Sequence, residues 1–119
     1  MVKNEVRNLY SWERKILDKL LDQNFLGSNE LCKQLSDCKV SVLDEDGSLK
    51  FYLRDTVKKA EMVKGRIPIE AEVRDQDGEM VQILLHVVDG MIDELEFWKS
   101  DGSAIKRDIE PDDLKIVLK

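Results

Sequence analysis

The stretch that decides the fold runs from Ile67 to Trp98, IPIEAEVRDQDGEMVQILLHVVDGMIDELEFW. Ile67, Ile69, Ala71 and Val73 alternate with Pro68, Glu70, Glu72 and Arg74. Val81, Ile83, Leu85 and Val87 alternate with Gln82, Leu84 and His86, and Met91, Leu95 and Phe97 with Ile92, Glu94, Glu96 and Trp98. A period of two sends successive side chains to opposite faces, so each run reads as a strand with one apolar side. Asp77-Gly78 and Asp89-Gly90 separate the runs. Asp-Gly between alternating segments signals a hairpin, because glycine accepts the positive φ that the turn requires. The pattern predicts an antiparallel meander.

A slip of one residue would turn the apolar side chains outward, so the register can be argued. A two-residue Asp89-Gly90 turn would set Leu85 opposite Glu94, whereas a three-residue loop, Val88-Asp89-Gly90, sets Val81 opposite Phe97 and Ile83 opposite Leu95. The longer loop is therefore expected. The same loop at Gln76-Asp77-Gly78 pairs Val73 with Val81 and Ile69 with Leu85, and at Ser100-Asp101-Gly102 it brings Ile105 against Phe97 on a short further strand. On the other face this register aligns Glu72, Gln82 and Glu96 in one row and Glu70, Leu84 and Glu94 in the next. Four glutamates are then framed by Leu84, Ile92, Met80 and Trp98, with His86 beside them. A wet sheet face is the simple reading, since antiparallel sheets often leave one face solvated. The mixture of an indole, aliphatics and charge also suits a protein interface. Asp93 falls on the apolar side, where it either stays wet near the sheet end or is kept for a basic ligand or for Arg66.

Working towards the N-terminus, Cys38, Val40 and Val42 alternate, as do Leu49, Phe51 and Leu53, giving two more strands around Asp46-Gly47. Before them the period is helical. Ser11 reads as the N-cap for a face of Trp12, Ile16, Leu17, Leu20 and Leu21 that ends by Gly27; Ser28 caps a second, shorter helix with Leu31, Leu35 and Cys38 on its inner side. Residues 54–65 read as a mobile connection, either loop or one turn of helix, and Pro111 opens a C-terminal turn. The fold class expected is α+β, two N-terminal helices packed on an antiparallel sheet of five or six strands. At 119 residues the chain predicts a single domain spanning residues 1–119, burying about two-thirds of its unfolded surface.

Charge narrows the partners. The chain holds 19 basic and 25 acidic residues, and the excess lies between residues 66 and 98, where Arg66 and Arg74 face nine acids. Nucleic acid and anionic membrane require the opposite sign, so a basic protein partner is expected. No apolar run exceeds three residues, and Lys3, Glu5 and Arg7 stand where a signal peptide would be apolar, so cytoplasmic residence is expected.

Chemistry finds little to work with. His86 is the only histidine, and Cys32 and Cys38 lack the short spacing of a redox or zinc pair, reading as buried small hydrophobes before a disulfide or ligand pair. Asp75-Gln76-Asp77-Gly78 and Asp44-Glu45-Asp46-Gly47 match part of a calcium loop, but Leu84 and Leu53 occupy the closing glutamate positions. No catalytic residue, metal or cofactor is expected. An enzymatic or ligand-binding domain with a helix–sheet pocket near His86 or Asp93, and a homo-oligomeric structural module, are the alternatives.

The N-terminal amphipathic helix, Leu31-Cys32-Lys33-Gln34-Leu35, the hairpin ending in Phe51 and the segment Leu85 to Glu96 together resemble a small bacterial family of uncharacterised single-domain proteins over residues 9–106. That family is similar to immunity proteins of toxin systems of the contact-dependent growth inhibition type. The resemblance implies an acidic, non-enzymatic domain that occludes a basic toxin of nuclease type. Glu70, Glu72, Glu94, Glu96, Trp98, Asp93 and His86 are the partner-binding candidates taken from the charge and register.

Overall fold

Ile16, Leu17, Leu20 and Leu21 recur on one side of the first helix, α1 (Ser11–Leu21), and all four are buried. A computed structural model describes residues 5–117; residues 1–4, which open the stretch read as lacking a targeting signature, and residues 118–119 lie outside the described residues. Tyr10, not Ser11, is the N-cap: Glu13 reaches back to accept its backbone N–H at 2.7 Å. The helix ends at Leu21, short of Gly27, and Trp12 of the expected apolar face is exposed. The second helix, α2 (Ser28–Gln34), has Gly27 as its cap and buries Leu31.

Six strands follow: β1 (Lys39–Val42), β2 (Leu49–Tyr52), β3 (Ile69–Arg74), β4 (Met80–Val88), β5 (Met91–Lys99) and β6 (Lys115–Val117). They form one antiparallel sheet in the order β1-β2-β5-β4-β3-β6, so the architecture is α+β, as expected. The meander β3-β4-β5 is its centre. The β1–β2 hairpin joins at β5 and the C-terminal β6 joins at β3. The helices cover the face that carries Val40, Leu49, Phe51, Ile69, Ala71, Ile83, Leu85, Leu95 and Phe97, all buried.

The β3–β4 register is the expected one, Ile69 opposite Leu85 and Val73 opposite Val81. The β4–β5 register is not. Asp89 and Gly90, at φ 52° and 74°, make a two-residue turn, with Val88 opposite Met91 and Val87 opposite Ile92. Positive φ at both positions gives the turn the twist that flanking strands demand. The mismatch this turn would cause is removed by a β-bulge: Asp93 is left unpaired, and from there His86 faces Glu94, Leu85 faces Leu95 and Ile83 faces Phe97. One extra residue thus returns Leu95 and Phe97 to the core. It also corrects Ile92, expected on the outer face and found buried.

Two further segments differ from expectation. Ile105 lies on no strand; residues 103–110 cross the sheet end irregularly, held where the Ile105 N–H donates to Asp46 Oδ1 at 3.1 Å. The sixth strand comes instead after the 3₁₀ turn Pro111–Asp113, which starts at the expected proline. Residues 54–65 contain turns but no helix, and buried Ala60 anchors them by donating its N–H to the Gly90 carbonyl at 2.7 Å. Gln34, only 1% exposed, ties α2 to the same place: its side-chain amide donates to the carbonyls of Lys58 and Gly90, each at 2.8 Å, and accepts from Ile92 N–H at 2.9 Å. Cys32 and Cys38 are both free, the latter buried among core residues where loss of solvent raises its thiol pKa.

Candidate functional site

Strand parity places Glu70 and Glu72 of β3, Gln82, Leu84 and His86 of β4, Glu94, Glu96 and Trp98 of β5 and Lys50 of β2 on the face opposite the buried rows. These residues are half-buried apart from Trp98, whose indole is 46% exposed. The core helices lie on the other side, so this face is open.

The bulge at Asp93 changes which of the candidates stand together. Trp98, not Glu96, shares a row with Gln82 and Glu72, and Lys115 extends that row onto β6. Glu96 aligns with Leu84, Glu70 and Val117, while Lys50, Glu94 and His86 form the third row. Six of the seven candidates, Glu70, Glu72, His86, Glu94, Glu96 and Trp98, are therefore on one face, but shifted by two residues along β5 from the expected alignment.

Asp93, expected on the apolar side beside Leu85 and Ile69, is the seventh. It is directed from the bulge to Lys50 Nζ at 2.5 Å, with Arg66 3.9 Å away as a second partner. The hydrogen bond to Asp93 raises the Lys50 pKa against the smaller opposing effect of burial. Lys50 was not among the sequence candidates. Its pairing depends on β2 joining β5, which no local pattern specifies.

His86 is held from both sides. Arg66 Nε donates to His86 Nδ1 at 3.3 Å, and His86 Nε2 lies 2.8 Å from Glu96 Oε1. An arginine can only donate, so Nδ1 accepts and the ring proton rests on Nε2, which donates to Glu96. This histidine fixes the positions of Glu96 and Arg66 on the face.

The same contacts revise the electrostatics. Of the nine acids between residues 66 and 98, Asp75 and Asp77 bind Lys99, Asp89 binds Lys59 at 2.6 Å and Asp93 binds Lys50. All three of these cations come from outside the stretch, and pairing at this range cancels much of the field expected from sequence counting. The carboxylates that define the open face are Glu70, Glu72, Glu94 and Glu96, interleaved with Lys50, Lys115 and Arg74. Such a face presents alternating charge around an aromatic anchor with Met80 and Leu84 nearby.

Among the described residues, no group of three or more histidine, cysteine, aspartate or glutamate side chains could hold a metal ion, and no helix is long and apolar enough to cross a membrane. A family profile described as a domain of unknown function (DUF6984) matches residues 6–109. No curated protein and no solved structure matches the chain.

Proposed function

We propose that this chain, which belongs to the DUF6984 family, is a non-enzymatic binding domain that docks a basic protein on the open face of its sheet. The observation that carries the reading is Trp98: an exposed indole near the end of β5, in register with Gln82 and Glu72, diagonal to Leu84 and Met80 and next to Glu96 along its own strand. An aromatic anchor surrounded by hydrogen-bonding and charged groups is how a small interface concentrates its binding energy. The net charge of −6 favours a basic partner. The specific form we favour is an immunity-type inhibitor, resident in the cytoplasm, that occludes the phosphate-binding cleft of a nuclease-type toxin with Glu70, Glu72, Glu94 and Glu96.

The test is protection. A toxin gene next to this one would be co-expressed with the wild-type chain and with a Trp98→Ala/Glu72→Lys variant. Growth rescue by the wild type and its loss in the variant is the expected result, with association of the purified pair slowed and more salt-sensitive. Full protection by the double variant would remove this face from the binding site.

A further inference from the structure

On the helix side of the sheet, away from the open face, a groove of about 410 Å³ lies between the start of α1 and the segment 103–110. Its apolar wall is made by Trp12, Phe97, Ile105 and Ile109, and its rim by Glu45, Asp46, Asp108 and Glu110. Trp12 is 43% exposed although it stands at an apolar position of the helix; its ring packs at 45° to Phe97 with centroids 6.4 Å apart, which leaves part of the indole open. The wall is fixed, because Asp46 holds the Ile105 N–H and Ile109 is buried. One cation, Arg107, lines the groove, and its guanidinium is engaged by Asp113 and by the carbonyls of Arg74 and Asp108. Glu45, Asp108 and Glu110 have no ion-pair partner among the described residues.

We propose that this groove receives an arginine side chain of a protein partner. An indole face attracts a guanidinium through its quadrupole, the apolar wall accommodates the aliphatic stem, and carboxylates at the rim accept the fork of N–H donors. Arginine suits the groove better than lysine, because a planar and weakly hydrated cation stacks on an aromatic ring at lower desolvation cost. The inference rests on the reading of a basic protein partner and adds a second contact point, one that does not involve Trp98.

The experiment uses the full chain labelled with ¹⁵N, whose two indole N–H signals separate Trp12 from Trp98. The probes are an acetylated and amidated Gly-Gly-Arg-Gly-Gly peptide, the same peptide with neutral citrulline, and guanidinium chloride. A saturable shift of the Trp12 signal with the arginine peptide alone is expected, weakened about tenfold or more in a Glu45→Gln/Asp108→Asn/Glu110→Gln variant. If that variant fails to fold, Asp108→Asn alone supplies the comparison. No Trp12 shift, an equal shift with citrulline or with guanidinium ion, or an effect unchanged in the folded variant would overturn the proposal. A shift confined to Trp98 would also overturn it while leaving the open-face reading in place; full toxin protection by the Trp98→Ala/Glu72→Lys variant with an unaltered Trp12 response would do the reverse and leave the groove standing.

Discussion

Lys99 Nζ lies 2.8 Å from Asp75 Oδ2, and neither side chain reaches solvent. Asp77 Oδ2 is 2.5 Å from the same ammonium, the Ala104 carbonyl accepts from it, and Asp75 also accepts the backbone N–H groups of Gln76 and Lys106. The cluster joins the end of β5, the β3–β4 turn and the segment 103–110. Every buried polar side-chain atom among the described residues has a partner, this pair included. Burial opposes the charge on Asp75, yet the bonds from Lys99 and the backbone outweigh it and hold the carboxyl at about 2, below its ordinary 3.8. Burial likewise opposes the Lys99 charge, and the two carboxylates raise its pKa above the usual lysine value.

The sign of the acid dependence follows from that inequality. A carboxyl whose folded pKa is depressed stabilises the fold above its unfolded pKa, and the contribution is lost as pH falls from about 4 towards 2. In Lys99→Met the cation is gone and burial is opposed only by the backbone bonds from Gln76 and Lys106, so the Asp75 pKa should rise from its depressed value. That variant should be less stable than wild type at neutral pH and should lose less further stability as pH falls from about 4 towards 2. Thermal midpoints measured down to that range check the convergence, and parallel curves would refute it.

Gln34→Leu preserves volume but leaves the Ile92 N–H and the Lys58 carbonyl without their partners, at a cost of about 3 kcal/mol. Urea unfolding measures the loss. Hydrogen exchange at Ile92 should accelerate beyond what the global destabilisation accounts for, because the amide that was bonded to Gln34 becomes locally open.

Gly90 and Gly47 separate two causes of glycine dependence. Both have positive φ, but a Cβ on Gly90 would stand 3.1 Å from the Ala60 nitrogen and 3.2 Å from its oxygen, whereas one on Gly47 would meet nothing within 4 Å. Gly47→Ala should cost about 1 kcal/mol for the left-handed conformation, and Gly90→Ala about 2 kcal/mol or more because the 58–60 segment must also move. Equal unfolding free energies for the two variants would show that the close approach to Ala60 carries no energy.

Asp93 can be tested by deletion. Without it Ile92 and Glu94 become neighbours, the pairs Val87 with Ile92 and His86 with Glu94 are contiguous, and the inward and outward faces are unchanged. The half-buried ion pair with Lys50 is worth about 1 kcal/mol, so this variant should fold with a midpoint only a few degrees lower. Deleting Glu96 instead inverts Phe97, Trp98 and Lys99 and should abolish cooperative unfolding. Circular dichroism during heating distinguishes the two outcomes.

Much of the architecture was legible because its signals are local. Alternation from Ile69 to Val73 and from Val81 to Val87, with Asp77-Gly78 between, gave the β3–β4 register, and the spacing of Ile16, Leu17, Leu20 and Leu21 gave the first helix. The β4–β5 register was misread because Leu95 and Phe97 can face inward in two ways, through a longer loop or through a tight turn and a bulge. Both satisfy the apolar pattern, and only the second keeps Ile92 in the core. The candidate site inherited that ambiguity: all of its residues but Asp93 were on the named face, yet Trp98 rather than Glu96 stands beside Gln82. Lys115 was invisible as a site residue because its strand is three residues long and forms only by adding to the edge of β3.

The sequence by itself determined the α+β class, the two helices, the central meander and the identity of the face that avoids the core, since periodicity and turn residues act over a few positions. Tertiary structure decided the rest. Whether an acid is a surface charge or half of a pair depends on cations brought from far along the chain, as Lys50 is to Asp93 and Lys59 to Asp89. Coulombic interaction follows distance in space rather than along the chain, so the acidic block between residues 66 and 98 became a mixed-charge face around Trp98 only when the strands were assembled.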